Sequence, residues 1–168
     1  LQRSIRRQRQ MCIRERDGTI IDNQGDLGDP KGVNIIDGTK EAIKSLADAG
    51  WLLIVVTNQA GVARGVFTEQ DIHAVHEYID TLVGPIEKYY YCCFHEEGVL
   101  EEWRENHPWR KPSPGMLLQA IQEFGIDASA SRMVAVFYTN LTLPTSCDVE
   151  HTWVAASAHQ NRCPTRAL

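Results

Sequence analysis

Residues 51–65 read Trp51-Leu52-Leu53-Ile54-Val55-Val56-Thr57-Asn58-Gln59-Ala60-Gly61-Val62-Ala63-Arg64-Gly65. The run from Trp51 to Val56 is continuously apolar, rich in β-branched side chains, and shows no polar alternation. A strand of that composition needs cover on both faces, as in a parallel sheet layered between helices. The run stops at a hydroxyl and an amide, Thr57 and Asn58, and a loop with glycines follows. Ligands of open parallel sheets gather at the C-terminal ends of the strands, so these two polar residues stand where a binding site is expected.

Working outward, helices and strands alternate. On the N-terminal side, Thr39 to Ala49 carries Ala42, Ile43, Leu46 and Ala47 on one helical face, with Gly50 as a stop. Further back, Met11-Cys12-Ile13 is a short apolar run that predicts a strand. On the C-terminal side, Thr68 with Asp71 three residues on has the form of a capping box. Ile72, Val75, His76, Ile79, Leu82 and Val83 form the stripe of the helix it opens. His73 and His76 are expected to be structural or exposed there. Tyr89 to Phe94 reads as a strand, Ser113-Pro114 as the cap and first turn of a helix ended by Gly125, and Met133 to Phe137 as a last strand. The alternation predicts an α/β, Rossmann-like fold: a central parallel sheet with helices on both faces. After Phe137 no clear period remains.

The chain has 168 residues, 43% of them hydrophobic and 23% charged, which suits one globular domain. We expect that domain over 11–168, after a basic, poorly ordered stretch at 1–10. Net charge is −5; residues 1–16 hold six Arg and one acid (6 − 1 = +5), which leaves −10 (−5 − 5) for the rest. So acidic a body argues against a dedicated nucleic-acid binder, although the basic arm could touch an anionic surface. No apolar run approaches the ~20 residues of a membrane span, and no apolar segment of a leader follows the basic stretch. A cytoplasmic monomer is the expectation. Five cysteines at irregular spacing, Cys12, Cys92, Cys93, Cys147 and Cys163, do not form a disulfide framework. Asn140-Leu141-Thr142 matches a glycosylation sequon, which is read as chance in a cytoplasmic chain.

Three motifs carry chemistry. Glu15-Arg16-Asp17-Gly18-Thr19 puts two carboxylates two residues apart just past the first strand. Such a pair can divide the work of nucleophile and proton donor in phosphate-ester hydrolysis. Thr57 and Asn58 offer a hydroxyl and an amide to phosphate oxygens. Arg110-Lys111-Pro112 sets two cations before a helix N-terminus, a position that favours anions. Singly, each could be an ordinary turn or solvated loop; together and in this order they point to phosphate.

Their order and spacing resemble the haloacid-dehalogenase (HAD) phosphatase superfamily over about residues 10 to 134. Residues 57–65 and 110–118 are the most specific part. Within it the resemblance is to the small D-glycero-D-manno-heptose bisphosphate phosphatase and histidinol-phosphatase group; polynucleotide phosphatases share variants of the second and third motifs. The resemblance implies a phosphomonoesterase for a small phosphorylated metabolite, such as D-glycero-D-manno-heptose 1,7-bisphosphate. It implies that Glu15 attacks phosphorus to give an acyl phosphate and that Asp17 protonates the leaving oxygen and then activates water. Thr57 and Asn58 would bind the phosphoryl group, Lys111 would offset charge, Arg110 would contact substrate, and Mg2+ would be held with Glu15 and Asp17.

The chain departs from that pattern in four places. Position 15 is Glu where the family has Asp, one methylene longer, and Arg14 stands where an apolar strand residue is expected. Ala135-Val136-Phe137-Tyr138-Thr139-Asn140 contains no acid where the family's fourth motif has one, Val136 standing for an Asp. The zinc loop of the nearest group is changed: Cys92 matches, but Phe94 replaces a His, and His107 and Trp109 replace two Cys. Cys92, Cys93, His95 and His107 could still supply four zinc ligands, although adjacent cysteines suit one tetrahedral centre poorly; the alternative is a metal-free loop with a buried Cys. Two other functions stay open: a catalytically impaired phosphate-binding domain, and a nucleic-acid 3′-phosphatase.

Overall fold

The computed structural model describes residues 11–23 and 25–134. The basic arm at 1–10, Val136 with the rest of the acid-free stretch, the 140–142 sequon, Cys147 and Cys163 lie outside the described residues.

The order is strand β1 (Met11–Arg14), helix α1 (Thr39–Asp48), strand β2 (Leu52–Asn58), helix α2 (Glu69–Val83), strand β3 (Lys88–Cys92), helix α3 (Gly115–Phe124) and strand β4 (Arg132–Val134), with short 3-10 turns between. The four strands form one sheet in the order β3-β2-β1-β4. All three pairings are parallel, with Ile13 opposite Ile54 and Met133, and Thr57 opposite Tyr91. The α/β expectation therefore holds, with β1 and β2 at the centre.

The fully buried run of β2 explains why this strand is central. Leu52, Ile54 and Val56 turn to one face and pack with Met11, Tyr90, Cys92 and, from α3, Met116, Leu117 and Ala120. Leu53 and Val55 turn to the other and pack with Cys12, Ile43 of α1, and Val75 and Ile79 of α2. Successive side chains of a strand point to opposite faces, so a strand covered twice must be apolar throughout. Helices do cover both faces.

Local chemistry fixes the ends of α2. Thr68 and Asp71 close a reciprocal capping box, with Thr68 N donating to Asp71 Oδ2 at 2.7 Å and Asp71 N to Thr68 Oγ1 at 3.3 Å. The start of α3 differs from the sequence expectation. The helix begins at Gly115, Pro114 is its cap residue, and no side chain caps it. Ser113 N instead donates to Arg110 O (2.9 Å) and Gly115 N to Pro108 O (3.1 Å), so residues 108–115 form a turn that delivers Lys111 to the sheet. A Cβ on Gly115 would lie 2.3 Å from Pro108 O, so this approach requires glycine.

Candidate active site

β1 ends in a tight turn. Gly18 N donates to Ile21 O (2.8 Å), Ile20 N to Arg16 O (2.9 Å), and Gly18 has φ 74°, a left-handed conformation that glycine adopts without strain. The turn points Glu15 and Asp17 to the C-terminal edge of the sheet. β2, lying alongside, ends there with Thr57 and Asn58.

The Asp17 carboxylate is the hub. Its Oδ1 accepts from Arg16 Nη2 (3.0 Å), Arg16 Nε (3.2 Å) and Asn23 Nδ2 (2.8 Å). Its Oδ2 accepts from Gln59 Nε2 (3.0 Å) and Thr57 Oγ1 (3.3 Å), and Gln59 Nε2 also reaches Thr57 Oγ1 (3.0 Å). Arg16, Thr57 and Gln59 are all buried. A carboxylate accepting charge-assisted bonds from a buried guanidinium is held in one orientation.

Lys111 crosses to the other carboxylate. Its Nζ pairs with Glu15 Oε1 and also donates to Val56 O at 3.4 Å. The Lys111 side chain is 2% exposed and that of Glu15 14%, so the pair is largely withdrawn from water. Burial pulls the Lys111 ammonium below its ordinary pKa, and Glu15 and then Asp17 push it back up. Asn58 holds the lysine in place: its Nδ2 donates to Lys111 O (3.2 Å) and its Oδ1 accepts from Lys111 N (3.0 Å). Two acids and two cations, Glu15, Asp17, Arg16 and Lys111, thus balance in charge within one cluster.

Of the residues singled out in the sequence, Glu15, Asp17, Thr57, Asn58 and Lys111 come together. Arg110 does not share their hydrogen bonds; its Nη1 donates to Phe94 O at 3.2 Å. Three members of the cluster received no role from the sequence: Arg16, Asn23 and Gln59. Gln59 sits inside the Thr57-Asn58-Gln59 motif and Arg16 between the two acids, so each carried a local signal. Asn23 carried none, because its link to Asp17 depends on the path of the turn.

The zinc set is not assembled. Cys92 packs in the core on the α3 side and its Sγ donates to Phe94 O at 3.9 Å; Cys93 packs with Val62 and Ile72 on the other side. Consecutive residues at the end of a strand face opposite ways, which separates the two thiols. His95 Nδ1 accepts from Glu97 N (3.0 Å), and His107 Nδ1 accepts from Trp109 N (3.1 Å) while its ring stacks on Phe94 at 4.4 Å. Among the described residues no three His, Cys, Asp or Glu side chains gather as a metal group. Burial raises both thiols, Cys93 to about 12. The zinc expectation at Cys92, His95 and His107 thus gains no support: these side chains are held in separate packing and hydrogen-bond environments.

No helix among the described residues is long and apolar enough to cross a membrane. The model of the polynucleotide kinase 3 phosphatase family matches residues 15–139. The chain is 39% identical over 124 residues to a D-glycero-β-D-manno-heptose-1,7-bisphosphate 7-phosphatase of Yersinia pestis, covering 71% of this chain and 66% of that protein. The same named phosphatase of Escherichia coli K12 is 40% identical, with 71% and 65% covered. The match thus spans just under two thirds of those relatives. Among solved structures, a Mesorhizobium loti protein described as HAD-like phosphatase superposes with a TM-score of 0.72 at 32% identity, over 76% of this chain and 63% of that one. The D,D-heptose 1,7-bisphosphate phosphatase of B. bronchiseptica, solved with magnesium and phosphate, shares the fold at a TM-score of 0.68 and 24% identity, over 79% of this chain and 73% of that one. With its parallel sheet and its motifs at the strand ends, the chain belongs to the polynucleotide kinase 3 phosphatase family, within the HAD-like phosphatases.

Proposed function

We propose that the chain is a phosphomonoesterase domain acting on a small sugar bisphosphate, of the kind named in its relatives, D-glycero-D-manno-heptose 1,7-bisphosphate. The observation that carries this reading is the buried Lys111–Glu15 pair beside the Asp17 hub, at the C-terminal ends of two central strands. A phosphoryl group entering between Glu15 and Asp17 meets donors already aimed there. Thr57 Oγ1 and Gln59 Nε2 can turn from Asp17 to phosphoryl oxygens, and Lys111 Nζ can bridge Glu15 and the phosphate. Glu15 then attacks phosphorus, the ester bond breaks, and the leaving oxygen takes a proton that Asp17 has gained from solvent as the substrate dianion enters. In the second half Asp17 takes a proton from water, which attacks phosphorus and releases Glu15. Asn58 contributes by fixing the Lys111 backbone, and Arg110, outside the cluster, is the residue to contact the remainder of the substrate.

Magnesium fits this donor set. The ion takes hard oxygen ligands, commonly one or two carboxylates with substrate phosphate and water completing its shell. Glu15 and Asp17 are two such carboxylates on one strand end. When bound, the ion supplies positive charge that holds and neutralises phosphoryl oxygens. Because Lys111 and Arg16 already balance the two acids, the substrate dianion provides the attraction for it.

The test offers the purified protein heptose bisphosphate, histidinol phosphate, an aryl phosphate and a 3′-phosphorylated oligonucleotide with magnesium. Turnover of the bisphosphate that disappears in Asp17→Asn is the expected result. The shorter side chain of Glu15→Asp shifts the attacking oxygen by roughly 1 Å, and a change of that size can alter turnover on the order of 100-fold. Absence of turnover in both the natural chain and Glu15→Asp, with orthophosphate still bound, would leave a phosphate-binding domain instead. Turnover of the oligonucleotide alone would favour the nucleic-acid 3′-phosphatase, the activity in the name of the matched family.

A further inference from the structure

Two buried polar atoms lack a hydrogen-bond partner among the described residues: Arg16 Nη1 and His76 Nε2. They are complementary, one a donor and the other an acceptor when the imidazole is neutral. Arg16 uses Nε and Nη2 as a fork on Asp17, which leaves Nη1 as the unused corner of a guanidinium whose side chain is 1% exposed. His76 lies on the inward face of α2 and is 5% exposed. Its ring stacks on Tyr89 (4.1 Å between centroids, planes 13° apart) and meets the edge of Tyr91 (5.8 Å). Burial first, then the charge of Arg16, then His73 lower its pKa to about 3, so it is neutral at physiological pH. Geometry puts Arg16 on the same side: its partner Asp17 bonds Thr57, Thr57 lies opposite Tyr91 in the sheet, and the alternation of β2 and β3 turns Thr57, Tyr89 and Tyr91 to the face that α2 covers with His76.

A buried donor or acceptor left unmatched costs about 1–3 kcal/mol, and nearly all such groups in folded proteins are matched by protein or by ordered water. We propose that His76 is a positioning residue for the active site: its neutral Nε2 accepts, through one buried water, the hydrogen bond that Arg16 Nη1 has to give. The bridge would hold all three corners of the guanidinium, two on Asp17 and one on α2. Asp17 would then keep its orientation while Thr57 and Gln59 turn to a ligand. His76 touches neither substrate nor the reacting atoms. The assignment goes beyond the phosphatase reading, and its test needs no turnover.

The experiment is 15N NMR of the full chain, in natural form and as His76→Phe and His76→Gln. Phe keeps a ring to stack on Tyr89 but removes the acceptor; Gln keeps an acceptor and loses the ring. In the natural chain we expect the Nδ1–H tautomer, with Nε2 unprotonated and shifted as a hydrogen-bond acceptor. The Arg16 Nη signals should be resolved because rotation of the guanidinium is hindered. They should merge in His76→Phe and separate again in His76→Gln. An Nε2–H tautomer in the natural chain overturns the proposal without any variant. Arg16 signals that are the same in the natural chain and His76→Phe overturn it as well.

Discussion

Two groups of chemistry-bearing residues sit at the same edge of this sheet and behave in opposite ways. Glu15 with Asp17, Thr57 and Lys111 come from three distant stretches of the chain, yet are joined by the Thr57–Asp17 hydrogen bond and the Lys111–Glu15 ion pair. Cys92, Cys93, His95 and His107 are close in the chain, yet share none that would gather them on a metal. Parallel strands explain the difference. Neighbouring strands bring their ends together whatever the intervening length, while within one strand adjacent side chains are sent to opposite faces.

The comparison can be broken most severely at Lys111. Replacing it with Met removes the Lys111 ammonium from the largely buried Glu15 carboxylate, and loss of one partner of a buried pair costs about 3–5 kcal/mol. Denaturant unfolding of Lys111→Met should show a loss of that size; a loss below about 1 kcal/mol would mean the pair behaves as a surface pair.

A second test uses acid. The depressed His76 pKa of about 3 means that the unfolded chain binds a proton there below pH 6.5 while the folded chain does not. Stability from this residue is therefore fully present above pH 6.5 and is lost as pH falls toward 3, by up to about 1.4 kcal/mol per pH unit. The difference in unfolding free energy between the natural chain and His76→Phe should change with that sign from pH 6.5 to 4. A flat difference would show that His76 is charged or exposed in the folded state.

Smaller effects separate the loops beside each group. A Cβ on Gly61, after β2, meets the far edge of the Phe67 ring at 2.2 Å, whereas one on Gly115 meets the Pro108 backbone carbonyl at 2.3 Å. A ring can swing aside and a tied backbone cannot. Gly115→Ala should cost about 3 kcal/mol and Gly61→Ala about 1–2 kcal/mol, read from their melting curves. The smallest effect concerns metal. Adding a strong chelator to the substrate-free protein should leave the melting temperature unchanged within about 1 °C, because Cys92, Cys93, His95 and His107 are packed apart rather than gathered on a metal. A fall of several degrees would restore the zinc centre.

Much of this architecture was legible before any coordinates. The unbroken apolar run at Leu52–Val56 marked a central strand, and Thr68 with Asp71 marked the start of α2. Both signals are local, and local physics suffices for them. Thr57, Asn58, Lys111 and Asp17 were legible because strand ends converge. The role of Asn58 was only half visible: its amide grips the Lys111 main chain, a partner determined by the 108–115 turn. That turn also moved the start of α3 past Ser113. Asn23 stayed hidden because nothing in the sequence states where the chain goes after Ile21. Residue types alone do not place Cys92, Cys93, His95 and His107 together, because the alternation at the end of β3 sends the two thiols to opposite faces.

Phe67 has a wider consequence. A Cβ on Gly28 would meet its side chain at 2.4 Å and one on Gly61 would meet it at 2.2 Å, so a single ring fits against two loops from different parts of the chain. The three positions are thus not free to drift independently. A descendant that trimmed the Phe67 ring could accept a methyl at 61, whereas one at 28 would still meet the Phe67 Cβ at 2.4 Å; a chain that acquired either methyl first would pass through a less stable ancestor. The order in which these sites can change is restricted by that geometry, and the loops on either side of the Asp17 cluster are tied to one mutational history.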